Sequence, residues 1–329
     1  MLDRWLGAEG DALRGLEAAV RGAGATFTGN MDEPVHRWFR FPAGFSAELV
    51  RRVFGFFGVR RGSLVLDPFT GSGTTNVVAK SLGVDSVGVE AHPLLAWVAR
   101  VKTYWEFDLH RLREELGRVL SRAKSEVGIR APRLRGEVAS KPELLRKCYP
   151  EGVLAELYAI KEVVEEVGDE RLRDFLLLAL LSTLRDVTAA EVGWPYIQPK
   201  RVRRGAVPPP LAAFSRRVWM QYEDLVRVRA RLGGAAPRAA IYEGDARRLT
   251  ELLEGESFDL AFTSPPYLNN YDYADRTRLE LYFLGWASSW REISEKVRRR
   301  LIVSCTHQVS ELGLGEGLAI SREVGEGVR

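Results

Sequence analysis

A nine-residue turn, DPFTGSGTT (67–75), constrains this chain more than any other stretch. The apolar run Ser63–Leu66 before it reads as a buried strand, and Thr74–Leu82 after it as a helix. Gly71 and Gly73 let the backbone turn tightly and let a ligand come close. The helix start adds free N–H groups and the positive end of a dipole. DSVGVEAH (85–92) then reads as a second strand, carrying Glu90 at its end. Strand, glycine loop, helix and strand open a doubly wound α/β domain.

The loop narrows the ligand. A phosphate-binding loop of the ATP type needs Lys followed by Ser or Thr after the glycines, where this chain has Thr74 and Thr75. A dinucleotide loop wants glycine at the sixth position, where this chain has Asn76. A ligand bearing both a carboxylate and an ammonium fits better, because Asp67 pairs with the amine while the helix start takes the acid. Candidate binding residues in the turn are therefore Asp67, Phe69, Gly71, Gly73, Thr74 and Thr75. Glu90, about 20 residues past the glycines, has the place of an acid that accepts ribose hydroxyls. Asp245, after a third strand, suits an adenine amino group and equally suits a helix N-cap.

The rest of the chain divides by texture. Residues 8–22 and 45–58 read as helices. From 106 to 237 the pattern is helical, near 108–127, 151–167, 170–186 and 209–232, and the helix within 172–186 is apolar almost all round. Strand signals return at 239–242 and 258–262. The division is a cofactor-binding half with an N-terminal helix (1–105), a helical insertion (106–237) and a second α/β half (238–329).

Phe258–Phe262 runs into Thr263-Ser264-Pro265-Pro266-Tyr267. Prolines cannot donate to a sheet ladder, and they hold the preceding residue extended. The chain therefore leaves the sheet stiffly, presenting carbonyl and hydroxyl acceptors beside an aromatic ring.

DPFTGSGTT, GVEAHP, GDARRL and FDLAFTSPPY, in this order, resemble the motifs of S-adenosylmethionine-dependent DNA amino-methyltransferases; HRWFRFPAGFSAELV (36–50) is similar to the segment before their cofactor loop. The resemblance covers roughly 27–105 and 238–310. It implies a Rossmann-like methyltransferase sheet and S-adenosyl-L-methionine as cofactor. Serine before the two prolines favours cytosine N4 over adenine N6. It also assigns catalysis to Ser264, Pro265, Pro266 and Tyr267. Ser264 Oγ and the Pro265 carbonyl accept the two N–H groups of an exocyclic amine and localise its lone pair. Tyr267 stacks on a base taken out of the duplex.

The partner is expected to be double-stranded DNA. The net charge is +4, and 193–222 carries Lys200, Arg201, Arg203 and Arg204 with interleaved aromatics and no acid. Cations neutralise phosphates, so these four are the candidate nucleic-acid contacts of a target-recognition insertion. A solvated basic loop is the plainer alternative. The four histidines have no metal-ligand spacing, so no metal is expected. Two cysteines suggest a reducing, cytoplasmic setting. No apolar run reaches membrane-spanning length, and nothing reads as a signal peptide. Scarce Asn and Gln beside abundant Arg and Glu give a thermophile-like balance.

Only four strands are legible, with 301–305 a candidate fifth, against seven in the family's complete sheet. The expectations are a fragment, a sheet completed by a second polypeptide or second copy, or an unusual closure. Three function classes follow: a DNA amino-methyltransferase, an enzyme of the same cofactor class acting on RNA, and a partner-dependent or non-catalytic DNA-binding homologue.

Overall fold

The computed structural model describes residues 13–24, 26–192, 197–202, 205–267 and 271–304. Residues 13–20 form α1. A 3-10 segment, Phe27–Asp32, then leads to α2 (Ala47–Phe56), capped by the Ser46 hydroxyl on the Glu48 and Leu49 amides. β1 (Leu64–Asp67), α3 (Thr74–Ser81), β2 (Asp85–Glu90) and α4 (Pro93–Thr103) follow. The helices α5 (Leu109–Val138), α6 (Glu143–Cys148), α7 (Glu151–Glu165) and α8 (Glu170–Asp186) then come before a hairpin, β3 (Ala190–Val192) and β4 (Ile197–Val202). α9 (Pro210–Leu232) returns the chain to β5 (Ala239–Glu243), α10 (Leu249–Leu252) and β6 (Leu260–Ala261). Three short helices end the described part: α11 (Tyr273–Arg276), α12 (Arg278–Leu284) and α13 (Trp290–Lys296).

β1, β2, β5 and β6 make one parallel sheet in the order β5-β2-β1-β6. This is the Rossmann-like arrangement with a helical insertion. All four strands fall where the sequence reading puts them, although β6 is only two residues long. The candidate fifth strand is absent from 301–304, and Cys305 lies outside the described residues.

Alternation along β1 sends Val65 to one face, against Val50, Phe54 and Val78. Leu64 and Leu66 go to the other, against Val87 and Val89. A strand buried on both faces needs cover on both, which is why it is nearly all apolar.

The insertion is not a separate core. α8 is buried nearly all round, from Leu172 to Leu184, and the apolar residues of α5, α7, α8 and α9 pack continuously with α4 and with Trp38 and Phe41 of the N-terminal segment. Asp224 of α9 is fully buried and fixes that segment, accepting from Val35 N (3.1 Å), Trp38 Nε1 (3.1 Å) and the Arg37 guanidinium (2.6 and 2.9 Å). The bond helps hold Val35 at φ 67°, a strained angle for a β-branched residue.

Two features differ from the sequence reading. α5 runs on to Val138 through Pro132, because its buried positions recur from Leu112 to Val138 and tertiary packing outweighs the proline. Lys200 and Arg201 stand in strand β4, not in a loop; pairing with β3 holds this polar stretch extended. No helix among the described residues is long and apolar enough to cross a membrane.

Candidate active site

The glycine loop is built from inside. Gly71 and Gly73 have φ of 55° and 87°, in the left-handed region that glycine enters without strain. A side chain on Gly73 would press on Ala99 of α4 at 3.2 Å. The Thr70 hydroxyl donates to the Asp67 carbonyl (2.9 Å) and meets Asn76 Oδ1 (3.1 Å), while Asn76 Nδ2 donates to Ser86 Oγ (3.2 Å). Gly88 of β2 leaves room for this buried network. Lys102, fully buried on α4, donates from Nζ to the Ser72 carbonyl (2.9 Å). Burial pushes its proton affinity down to about 7.

Glu90 braces the loop from the next strand. One carboxylate oxygen accepts from Gly71 N (2.7 Å), the other from His92 N (2.8 Å). Burial pushes its carboxyl up to about 7, against the pull of those amides, and the Asp67 charge adds to the rise. His92 is buried and neutral, its pKa pushed down to about 3 by burial, with Nε2 at 2.7 Å from Thr277 Oγ1.

Asp67 lies deeper than the sequence suggests. The turn does not offer its carboxylate to an incoming amine. The group is fully buried, with Oδ1 accepting from Phe69 N (3.1 Å) and Thr263 Oγ1 (2.7 Å). Its Oδ2 has no hydrogen-bond partner. The Thr75 hydroxyl is near enough to favour the charged form without reaching hydrogen-bond geometry. Desolvation still wins and pushes the carboxyl up to about 6. The Thr263 bond joins the two motifs directly: the residue that starts the Ser-Pro-Pro-Tyr loop is fastened to the residue that starts the glycine loop.

The second loop is sparsely held. β6 pairs with β1 beside Val65 and Leu66, which brings both loops to the same edge of the sheet. Ser264 Oγ lies 3.0 Å from the Tyr267 hydroxyl, and Tyr267 N donates to the Tyr273 hydroxyl (3.4 Å). The Tyr267 side chain is 56% exposed.

One cavity is bordered by both loops. Phe69, Gly71 and Thr74 line it from the first, Ser264 and Pro266 from the second, with Glu90 and Asp245 between. Gly73, Thr75, Asp67, Pro265 and Tyr267 are not on its wall. Gly73 and Thr75 turn into the protein, and Tyr267 faces the neighbouring opening. Asp245 plays the N-cap part, accepting from Arg247 N (2.9 Å) and pairing with the Arg247 guanidinium (2.6 Å), while still reaching the cavity. Its carboxyl is held below the usual range, first by that guanidinium.

The sequence reading missed much of the wall. Phe41, Ala43, Gly44 and Phe45 come from the N-terminal segment, with Phe45 edge-on to Phe262 at 5.3 Å. Arg300, Leu301 and Ile302 close the far side, where Arg300 pairs with Glu243 at 2.6 Å. No periodicity marks such residues; the buried tie of Asp224 and the exposed ion pair of Glu243 help bring them in.

Lys200 and Arg201 are exposed on β4, and Arg201 lies 3.7 Å from Glu191. Arg203 and Arg204 lie outside the described residues. No group of three or more metal-ligating side chains occurs among the described residues.

Comparisons with known proteins point one way. A family model described as DNA methylase matches residues 22–97. Type II methyltransferase M.BsoBI of Geobacillus stearothermophilus is 25% identical over 312 residues, covering 85% of this chain and 58% of the relative. Type II methyltransferase M.AvaI of Nostoc sp. is 22% identical over 308 residues, covering 88% and 61%. Type II methyltransferase M.MjaII of Methanocaldococcus jannaschii is 35% identical over 63 residues, covering 19% and 12%. The chain thus spans about three-fifths of the length of the first two relatives. No solved structure matches it.

Proposed function

We propose that the chain is a DNA amino-methyltransferase, a reading supported by its similarity to a DNA methylase family model and to two Type II methyltransferases, and that it methylates an exocyclic amino group of a base in double-stranded DNA. The position is cytosine N4 ahead of adenine N6, on the serine that precedes the two prolines. One observation carries the reading: a single cavity is walled by the glycine loop, by Glu90 and by Ser264 and Pro266.

Enzymes of this family use S-adenosyl-L-methionine, and the residues here fit it. The loop amides and the start of α3 suit its carboxylate. Glu90 suits its ribose hydroxyls, Phe41 and Phe69 offer apolar walls, and Asp245 suits the adenine amino group. The orphaned Oδ2 of Asp67 is a buried acceptor beneath the loop, of the kind that an ammonium satisfies. When bound, the cofactor supplies an electrophilic methyl on its sulfonium.

The protein's own part is to prepare the amine. Its lone pair is delocalised into the ring, so it is a poor nucleophile. Ser264 Oγ and the Pro265 carbonyl accept its N–H bonds and favour the pyramidal form. Tyr267, largely exposed, offers a stacking face to a base out of the duplex. The loop's rigidity fixes the amine's approach, and orientation supplies much of the rate. Lys200, Arg201, Arg203 and Arg204 are proposed as phosphate contacts, and residues 106–237 as the target-recognition part.

The deciding experiment incubates the protein with labelled S-adenosylmethionine and either DNA or RNA, then identifies the labelled nucleoside by mass spectrometry. N4-methylcytosine from DNA is expected. N6-methyladenine corrects the base, label in RNA alone corrects the substrate, and no label in either removes the catalytic reading.

A further inference from the structure

A second cavity adjoins the first across Ser264 and Tyr273. Its walls are largely aromatic, from Phe27, Phe45, Tyr267 and Tyr273, and one arginine, Arg40, lies on its border. We propose that Arg40 is an anchor for a DNA backbone phosphate next to the reacting base. The proposal rests on the reading above for the identity of the base, and on its own observations for the phosphate.

The first observation is an uncompensated charge. The Arg40 side chain is exposed and has neither a carboxylate partner nor a side-chain hydrogen bond among the described residues. Its carbonyl is engaged, by Arg276 Nη2 at 2.9 Å, so the backbone is fixed while the guanidinium is not. Other arginines on the surface are matched, Arg133 with Glu162 at 2.6 Å and Arg217 with Asp186 at 2.6 Å; Arg40 is an unmatched one that borders a cavity.

The second observation is what surrounds it. Partial desolvation of its guanidinium, and then the Arg185 charge, lower the proton affinity of Arg40; no acid works the other way. Arg185 is paired with the buried Glu280 (2.7 Å), and its Nη2 also reaches the Arg276 carbonyl (3.4 Å). Arg276 is 3% exposed, and its Nε has no hydrogen-bond partner. Arg276 feels both the Arg185 and the Arg40 charges, while Glu280 is paired with Arg185. Asp32 is the acid on the cavity's border, and its field acts on Arg37. A locus with surplus positive charge costs stability unless an anion visits it.

The third observation is placement. The exposed Arg40 borders the same cavity as Phe45, Ser264 and Tyr267, within the surroundings of a base that presents its amine to Ser264. Guanidinium is the side chain that binds phosphate through two parallel N–H bonds. Arg40 is absent from the wall of the first cavity, so this role is separable from cofactor binding.

The test is binding, without turnover. Affinity for a random-sequence 20-base-pair DNA duplex and for the same-length RNA duplex is measured by fluorescence anisotropy across a salt series. It is done with the full chain, with Arg40→Gln and with Arg40→Lys. Arg40→Gln is expected to weaken DNA binding about tenfold at low salt and to flatten the log–log salt slope by about 0.9, one phosphate contact. Arg40→Lys is expected to restore the slope, because it restores the charge. A slope unchanged in Arg40→Gln overturns the assignment, as does a change seen on RNA alone. If the slope falls as expected but no methylated nucleoside is ever formed, the phosphate anchor stands and the catalytic reading fails.

Discussion

The two loops at the carboxyl ends of β1 and β6 sit side by side and are held in opposite ways. The glycine loop is locked from every direction. Lys102 holds its Ser72 carbonyl, Glu90 holds its Gly71 amide, and a buried chain from Thr70 through Asn76 to Ser86 ties it to β2. Among the described residues, the Ser-Pro-Pro-Tyr loop has two prolines, the Thr263–Asp67 bond, the Tyr267 amide on the Tyr273 hydroxyl and a contact between two of its own side chains. The difference separates two ways of achieving rigidity. A loop that meets a small, constant ligand can be organised in advance by tertiary bonds. The second loop, proposed to take in part of a polymer, is stiffened mainly by its two prolines and held by few tertiary bonds.

The sharpest way to break this contrast is at Gly88. A Cβ there would come within 2.9 Å of both Asn76 Oδ1 and Ile241 Cδ1, and would drive into the Thr70 hydroxyl. Gly88→Ala is expected to cost about 3 kcal/mol, read by denaturant unfolding, and to abolish cofactor binding with it. A loss under 1 kcal/mol would mean that the buried network is not what fixes the loop.

Asp67→Asn is expected to act the other way on stability. Asparagine keeps Oδ1 as acceptor for Phe69 and Thr263 while removing a buried charge. The folded carboxyl titrates at about 6 against 3.8, so its contribution to stability is complete below about pH 4 and lost as pH rises through about 6. At pH 8 the variant should be more stable by roughly 1–3 kcal/mol, should lose that part of the pH slope, and should bind S-adenosylmethionine more weakly. Equal or lower stability at pH 8 would show that the carboxylate is not strained by burial.

Tyr267→Ala should barely touch the fold, within about 0.5 kcal/mol, because the ring is already mostly exposed. It should still remove base stacking worth roughly 1–3 kcal/mol, measured as weaker binding to single-stranded DNA with cofactor affinity unchanged. A large loss of stability would place this loop among the pre-organised ones and erase the contrast.

The smallest effect belongs to the exposed strand of the insertion. Lys200→Ala with Arg201→Ala should leave thermal unfolding unchanged and lower the salt slope of DNA binding by about two units. An unchanged slope returns this strand to a plain solvated surface.

How much of this was legible in sequence differs between the loops and their surroundings. The turn at 67–75, the strands before and after it, and Ser264 through Tyr267 announce themselves locally: glycines at left-handed positions, prolines ending a strand, apolar runs of strand length. Other features depend on residues far apart in the chain. Nothing near Arg40 or Phe45 says that it borders a cavity with Ser264, more than 200 residues later. Nothing near Lys102 says that it holds the Ser72 carbonyl. Asp67 was legible as important, as the acceptor for a ligand's amine; its burial and its bond to Thr263, on the neighbouring strand's loop, were not.

By itself the sequence determined the local geometry and the chemical types: where the chain turns, which side chains offer acceptors, and in what order the strands come. Backbone preference and hydrophobic period act over a few residues, so a linear reading contains them. Tertiary structure alone decided which groups lose their water and which charges find partners. It buried Asp67 and Lys102, joined Thr263 to Asp67, and left Arg40 without a carboxylate partner among the described residues. Desolvation and pairing depend on distance in space, and that is fixed only when the sheet, the insertion and the N-terminal segment pack into one core.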